Sequence, residues 1–558
     1  MDRKDAAIAV LVAVLIGPLV LTGYTTSQQS PGVGGGGAGP PVEPGSMTKP
    51  CNFQIYLDGS KILSNNCQTG ANTYSGTVFS TVLQNTIDDP STPRSIFVKD
   101  GSYAVSARIT PRSGLELWGV WGRTRLISDG ITAGDAAMFQ TSAAVTDLSI
   151  HDFYVEGKYF TTFPTIRSPT TDSFAFLITG GLAENVHIYN MWIKNFAAGV
   201  FINGGGATGT SRNWNFHDII GEEFDTGILA IRSQSTIVYN IRVAGIQVDK
   251  FRDGGIEFAA TNGGISTLGG EMYGITVSDV NLYNGFQNGL AFNSVEPVST
   301  NGNKMHSINV NNVEISFNRE YAGITGLGLD FRVSGAGGNA VYDFNVNNLH
   351  VKDADTGIQI SNIQLGGKIS NFMLEDVRIT GILVDKSPLP TYNPLLVESG
   401  TIKLHSAATR GILLQSLTGS SAVTGVRFDD VKIQGTGTQL AIQHTYVGTG
   451  SISDIDYRRM EWAPGTLTVN FTVASDLTIR DSPSYITENW GATSVADGGT
   501  ISHGLAGTVD SVTVTCSIAS QICGVTALAA TTFTVSIKTD TGAAGTTQTV
   551  YWYAVFIP

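Results

Sequence analysis

One short pattern recurs along most of this chain and constrains its fold more than any other feature. Apolar residues alternate with polar ones, an Asn, Asp or Gly interrupts the alternation, and the alternation resumes. It runs through Leu148 to Val155 about Asp152, through Val186 to Ile193 about Asn190, and about Asp218. Further copies surround Gly245, Asp279, Asn312, Asn348, Asp376 and Asp430, and a last one has Arg459 at the marked place. Intervals between marked residues run from 27 to 38, except for a gap of 54 between Asp376 and Asp430. That gap predicts a degenerate copy near Ile402 to Leu413. With Asp100 and Gly119 opening the series, about twelve repeats are read.

Period-two alternation on both sides of the marked residue means two short strands with their apolar side chains on one common face. Asn, Asp and Gly share a tolerance for the left-handed backbone region, which turns a chain sharply. A strand, a one-residue bend and another strand, repeated about every thirty residues, is one turn of a solenoid whose turns stack in parallel. After most bends a Gly precedes a further apolar-x-apolar run, as at Gly199, Gly227, Gly255, Gly289, Gly328 and Gly357. Each turn therefore carries three strands, with loops of variable length along one edge.

Composition agrees with strands and turns. Charged residues make up 14% and Gly supplies 66 of 558 residues, while apolar content is 42%, enough to bury a core. The formal net charge is −13, which argues against a nucleic-acid partner and against docking to an anionic membrane surface.

The start of the repeat carries more specific landmarks. Thr77 to Asp88 has apolar residues at 78, 79, 82, 83 and 87, an amphipathic helix suited to plug the open end of the apolar column. Ile96 to Tyr103 reads as a strand and a Gly-x-Tyr turn, and Leu115 to Leu126 as a second coil with Gly119, Gly122 and Thr124. These residues resemble the right-handed parallel β-helix of the pectate lyase superfamily, over roughly 72 to 462. The resemblance implies an all-β right-handed parallel β-helix with an N-terminal capping helix. It implies no single chemistry, since the fold hosts lyases, hydrolases, epimerases, phage tailspikes and non-catalytic adhesins. Asp429-Asp430 is similar to the Asp pair of polygalacturonases, but Asp430 is already explained as a bend, and that family's other motifs are absent.

The flanks add compartment and a second module. Ahead of the solenoid, 1–24 holds a basic pair and an uncharged run from Ala6 to Gly23, read as a signal peptide or an N-terminal membrane anchor. Residues 25–49 form a Gly/Pro/Ser linker. Four cysteines fall into two local pairs, and Cys51–Cys67 with Cys516–Cys523 is the favoured of three connectivities. Disulfides fit an exported chain, extracellular and at a cell or virion surface. The β-helix is assigned to 50–482. Residues 483–558 read as a small antiparallel β-sandwich, with Tyr551 and Tyr553 on one face and Trp552 on the other. Those aromatics fit a sugar-stacking platform, though core or trimer-interface packing is the plainer account.

For chemistry, carboxylates are weighed first, because polysaccharide cleavage uses them as acid and base. Aligned on the landmark Gly, Asp225, Asp253 and Asp355 each fall two residues before it, with Asp225 and Asp253 on adjacent turns. Two residues after it come Phe201, Leu229, Glu257, Ala291, Asp330 and Gln359, all expected to point outward. Glu257 and Asp330 then lie two turns apart, roughly 9–10 Å at about 4.8 Å per turn. Arg232 and Arg332 are placed near the ends of neighbouring strands, suited to acidic sugars. The plainer account is that Asp before Gly is turn chemistry and that outward carboxylates keep a sheet soluble. The histidines show no metal-ligand spacing, no resident cofactor is expected, and Ca2+ is the one ion the resemblance allows. Two functions follow: an exported β-helix that binds a polysaccharide or cell-surface glycan and cleaves it as hydrolase or lyase, or a non-enzymatic adhesin or spike; a homotrimer is the assembly that spike relatives suggest, and the sequence itself does not give one.

Overall fold

The computed structural model describes residues 50–556 apart from 91–93, 133–135, 168–169, 205–208, 262–268, 295–301, 321–324, 335–338, 364–365, 386–393, 417–421, 436–438, 447–449, 463–466, 472–474, 481 and 483–487. The run Ala6 to Gly23 and the linker after it lie outside the described residues. Among those described, no helix is long and apolar enough to cross a membrane.

The chain winds as a right-handed parallel β-helix. Parallel in-register pairing carries Trp118 onto His151, His151 onto Tyr189, Tyr189 onto His217 and His217 onto Ala244. The same column continues through Ser278, Asn311, Asn347 and Ser370. The residue after each forms a row of bends: Gly119, Asp152, Asn190, Asp218, Gly245, Asp279, Asn312, Asn348 and Asn371. Ser399, Asp430 and Arg459 complete it. Every member after Gly119 has a positive φ, between 48° and 66°. Side chains in the row bond to one another from coil to coil: Asn312 donates to Asp279 at 2.6 Å and Asn348 donates to Asn312 at 3.0 Å. The Asx residues thus supply both the left-handed turn and a ladder of hydrogen bonds along the edge.

Three details of the expected register change. Asn371, not Asp376, holds the bend, because Phe372 pairs with Leu349 beyond the corner and Asp376 falls one corner later. The hidden coil in the long gap is Leu395–Leu404, with Ser399 at its bend and Gly400 where an apolar residue was expected. Its glycine has a steric reason: a Cβ on Gly400 would lie 2.0 Å from the Phe372 ring of the coil before. At the start, Phe97 pairs with Trp118, which puts Val98 rather than Asp100 beside Gly119.

Inside the coils one continuous apolar column runs from Phe53 to Ile479. Phe258, Phe292 and Phe331 stack there at 5.1–5.2 Å, one per coil. The first coil is closed by the helix Phe79–Ile87, which buries Phe79, Val82, Leu83 and Ile87, while Val78 stays exposed. The strand Phe53–Asp58 pairs in parallel with Ile96 to Val98 and antiparallel with Lys61–Asn66, so that edge is covered.

The C-terminal residues form two three-stranded antiparallel sheets. One contains Glu488–Val495, Gln548–Val555 and Ser511–Cys516; the other contains Thr500–Ser502, Thr532–Thr539 and Gln521–Leu528. Phe533, Val535, Ile537, Val550 and Trp552 fill the space between them, a small sandwich. Both disulfides are present as paired in sequence: Cys51–Cys67 joins the N-terminal hairpin, and Cys516–Cys523 links the two sheets of the sandwich.

Candidate functional site

Two outward rows run up the sheet made by the ends of Ala183–Asn203 and Thr210–Arg232 and by Gly254–Ala260, Asn288–Ser294, Leu327–Val333, Thr356–Ser361 and Thr380–Asp385. The first row is Phe201, Ala230, Glu257, Ala291, Asp330, Gln359 and Leu383. The second, two residues on, is Asn203, Arg232, Ala259, Asn293, Arg332, Ser361 and Asp385.

The landmark glycines set this register. Gly289 must be glycine because a Cβ there would meet Ile315 at 2.5 Å and the Gly328 carbonyl at 2.7 Å. One coil departs from the expected alignment. Ile228, not Gly227, occupies the landmark place, since Leu229 pairs with Ile256 and Ala230 with Glu257. Leu229 is consequently inward and fully buried rather than outward. Arg232 and Arg332 also prove to be three coils apart, with Ala259 and Asn293 between, rather than on neighbouring strands.

Glu257 and Asp330 stand two coils apart in the first row, with only the small Ala291 between them. Each has an arginine from the second row. Arg332 Nη2 lies 2.8 Å from Asp330 Oδ2, and Arg232 Nη2 lies 3.8 Å from Glu257 Oε2. The Arg232 guanidinium also covers the Phe201 ring at 5.2 Å. Asp330 is only 2% exposed although it points outward, so it does not serve solubility. Burial pushes its carboxyl up to about 6; Arg332 opposes this and the charge of Glu257 adds to it. Its Oδ1 accepts no hydrogen bond among the described residues. Beside Arg332 opens a cleft of about 560 Å3, lined further by Val333, Ser334, Gln359, Ser361, Asn362 and Asp385. Counting did not single out Ser361 and Asp385. The signal was available, since both lie two residues beyond a first-row position.

Asp225 and Asp253 are placed differently. Asp225 accepts the Tyr159 hydroxyl at 2.9 Å and pairs with Arg252 Nε at 2.5 Å. Arg252 follows the Phe251 that pairs with Phe224, so it stands opposite Asp225, and the two aspartates are offset by one residue. Burial and the charge of Asp225 raise the pKa of Asp253, while Arg252 and Arg232 lower it. Asp355 is engaged by Arg319 at 3.0 Å, and Asp429 by Arg459 at 2.7 Å. The Tyr159 contact bridges 66 residues of sequence and leaves no periodic trace. As for the Ca2+ allowed by the resemblance, the described residues contain no cluster of three or more His, Cys, Asp or Glu able to hold a metal ion.

The chemistry open to this face is acid–base work by two carboxyls of unequal environment. One is buried with its carboxyl raised to about 6; the other is partly exposed beside a guanidinium.

No family model and no curated protein matches the chain. Solved structures do match. The tailspike protein gp49 from Pseudomonas phage LKA1 is 13% identical, over 85% of this chain and 92% of that one, with a TM-score of 0.43. A tailspike mutant of E. coli bacteriophage HK620 in complex with a hexasaccharide is 10% identical, over 86% and 89%, with a TM-score of 0.44. A family 28 exopolygalacturonase from Yersinia enterocolitica is 11% identical, over 72% and 83%, with a TM-score of 0.33. At such identities and scores these matches assign neither substrate nor catalytic residue, and the fold stands on the strand register described above.

Proposed function

We propose that this is an exported polysaccharide-binding protein that hydrolyses its glycan on the outer face carrying Glu257 and Asp330. The observation that carries the reading is Asp330: a carboxyl buried on the outward row, raised to about 6, two coils from a second carboxylate. In this reading Asp330 donates its proton to the glycosidic oxygen as the bond from that oxygen to the anomeric carbon breaks. Glu257 takes a proton from a water that attacks the anomeric carbon from the opposite side. The products are a free alcohol and a hemiacetal of inverted configuration, and solvent exchange returns both carboxyls to their starting states. Two coils set the two backbones roughly 9–10 Å apart, around the upper limit of the inverting carboxyl separation of about 6.5–9.5 Å and well beyond the roughly 5 Å of retaining enzymes. Arg232, Arg332 and the cleft residues Gln359, Ser361 and Asp385 would bind the flanking sugars. Asp225 and Asp253 act in this reading as supports of the edge, held through Arg252 and Tyr159. Export is supported by the two disulfides, which persist in oxidising compartments, and by the uncharged run Ala6 to Gly23 acting as signal or anchor.

The reading as a non-catalytic adhesin is favoured by one observation, that both carboxylates already hold an arginine. A polysaccharide array read for new reducing ends and for unsaturated products separates the two. Expected are reducing ends without unsaturation, an activity that falls as pH rises through about 6, and a loss of at least 100-fold in Glu257→Gln and Asp330→Asn with the Tm of Glu257→Gln kept. Unsaturated products would show a lyase, binding without new ends an adhesin, and full activity in both variants would remove this site.

A further inference from the structure

The C-terminal sandwich exposes aromatic rings on one face of one sheet. Successive residues of a strand face opposite sides, so Val550, Trp552 and Ala554 enter the core while Tyr551 and Tyr553 point outward. Trp552 lies edge-on to Phe533 at 5.7 Å and donates to Thr493 Oγ1 at 3.1 Å, and Gly491 leaves room for its ring. The outward side is different. Tyr551 is 55% exposed, Tyr553 42%, and Trp490, which the sequence did not single out, 72%. Trp490 pairs directly with Tyr553 on the neighbouring strand. Directly opposed Cβ atoms sit about 4.5–5.5 Å apart, and Tyr551 follows Tyr553 at about 7 Å along the strand. The three rings therefore form one L-shaped strip.

The surroundings of the strip decide its occupant. Besides one carboxylate, the remaining outward residues are Ala492, Ser494, Ser511, Thr513, Thr515, Thr549 and Val555, small and mostly hydroxyl-bearing. The outward positions of this sheet include no lysine or arginine, so a polyanion finds no counter-charge there. The one carboxylate, Glu488, takes the Tyr553 hydroxyl as a hydrogen-bond donor, which raises the pKa of that phenol. A neutral surface of flat rings bordered by hydroxyls is the complement of an uncharged pyranose, with C–H faces for the rings and hydroxyls for the border. It lacks the arginine and methionine that accompany aromatic rings in a self-association interface.

We propose that this face is a second saccharide site, which holds uncharged pyranose residues on Trp490, Tyr553 and Tyr551 and carries out no cleavage. It rests on the reading that the chain handles glycans but not on the chemistry at Glu257 and Asp330. The test is affinity electrophoresis of the full chain in gels containing dextran, galactomannan or β-1,3-glucan, with polygalacturonate as the acidic control. The wild type is expected to be retarded by at least one neutral glycan. The Trp490→Ala/Tyr553→Ala variant is expected to lose that retardation at least tenfold, with unchanged Tm, and Trp490→Phe/Tyr553→Phe to keep most of it. Retardation in polygalacturonate should be the same in all three. Glu257→Gln should leave the neutral-glycan retardation intact, which separates failure of this site from failure of the hydrolytic reading. The proposal is overturned if no neutral glycan retards the wild type, or if the alanine variant is retarded equally. It is also overturned if the alanine variant keeps its retardation but sediments as a smaller species, which would make the face an interface between copies.

Discussion

Two buried titratable side chains pull stability in opposite directions with pH. Asp330 is raised to about 6 from an ordinary 3.8, so the native state holds the extra proton between those values and stability falls as pH rises through them. His444 accepts or donates at Nε2 with the Tyr457 hydroxyl at 2.8 Å inside the column, and burial lowers it to about 4 from 6.5. There the unfolded state binds the extra proton, so stability present above pH 6.5 is lost as pH falls toward 4. A shift of that size corresponds to about 3 kcal/mol. The Tm of His444→Gln, taken relative to wild type, is expected to rise on acidification from pH 7 to 4; a difference independent of pH would refute this account. His444 was read from sequence only as one of several scattered histidines, because inward or outward placement depends on a register that counting leaves ambiguous by one.

At the scale of the element, the bend is the unit that sequence shows best. An Asx between two alternating runs is visible wherever both runs are apolar, and Asn312 is such a case. Asn312→Ala should cost about 1–3 kcal/mol in urea unfolding, since alanine pays for φ near 58° and removes two ladder hydrogen bonds. Asn312→Gly should cost less than alanine; the reverse order would mean that φ is not the issue. Where bends were misplaced, packing had overridden pattern. Phe372 lies over Gly400, and Ile228 takes a landmark glycine's place, so neither coil shows its phase in its own residues. The outward pair Glu257 and Asp330 was legible because any row follows from counting by two. The burial of Asp330 was not, since it depends on what surrounds the row, and the contact of Tyr159 with Asp225 joins segments that no period relates.

For the whole molecule, the two disulfides act at opposite ends of the described chain, one at the N-terminal hairpin and one across the C-terminal sandwich. Denatured but unreduced protein should take up no alkylating reagent in mass spectrometry; four alkylated thiols would contradict the structure. Reduction should lower stability by roughly 2–4 kcal/mol per bridge in the parts that they close. Between these ends each coil rests on its two neighbours, so stability sums over adjacent pairs.

The same stacking has a consequence for the two carboxyls of the outer row. Their separation comes in whole steps of the winding, like marks on a ruler, because each residue of the row belongs to a different coil. A relative that moved either acid one coil toward the other would jump from a gap with room for a water to one without it. On the hydrolytic reading proposed above, stereochemical outcome is therefore chosen by integer, and drift by small increments is closed to it.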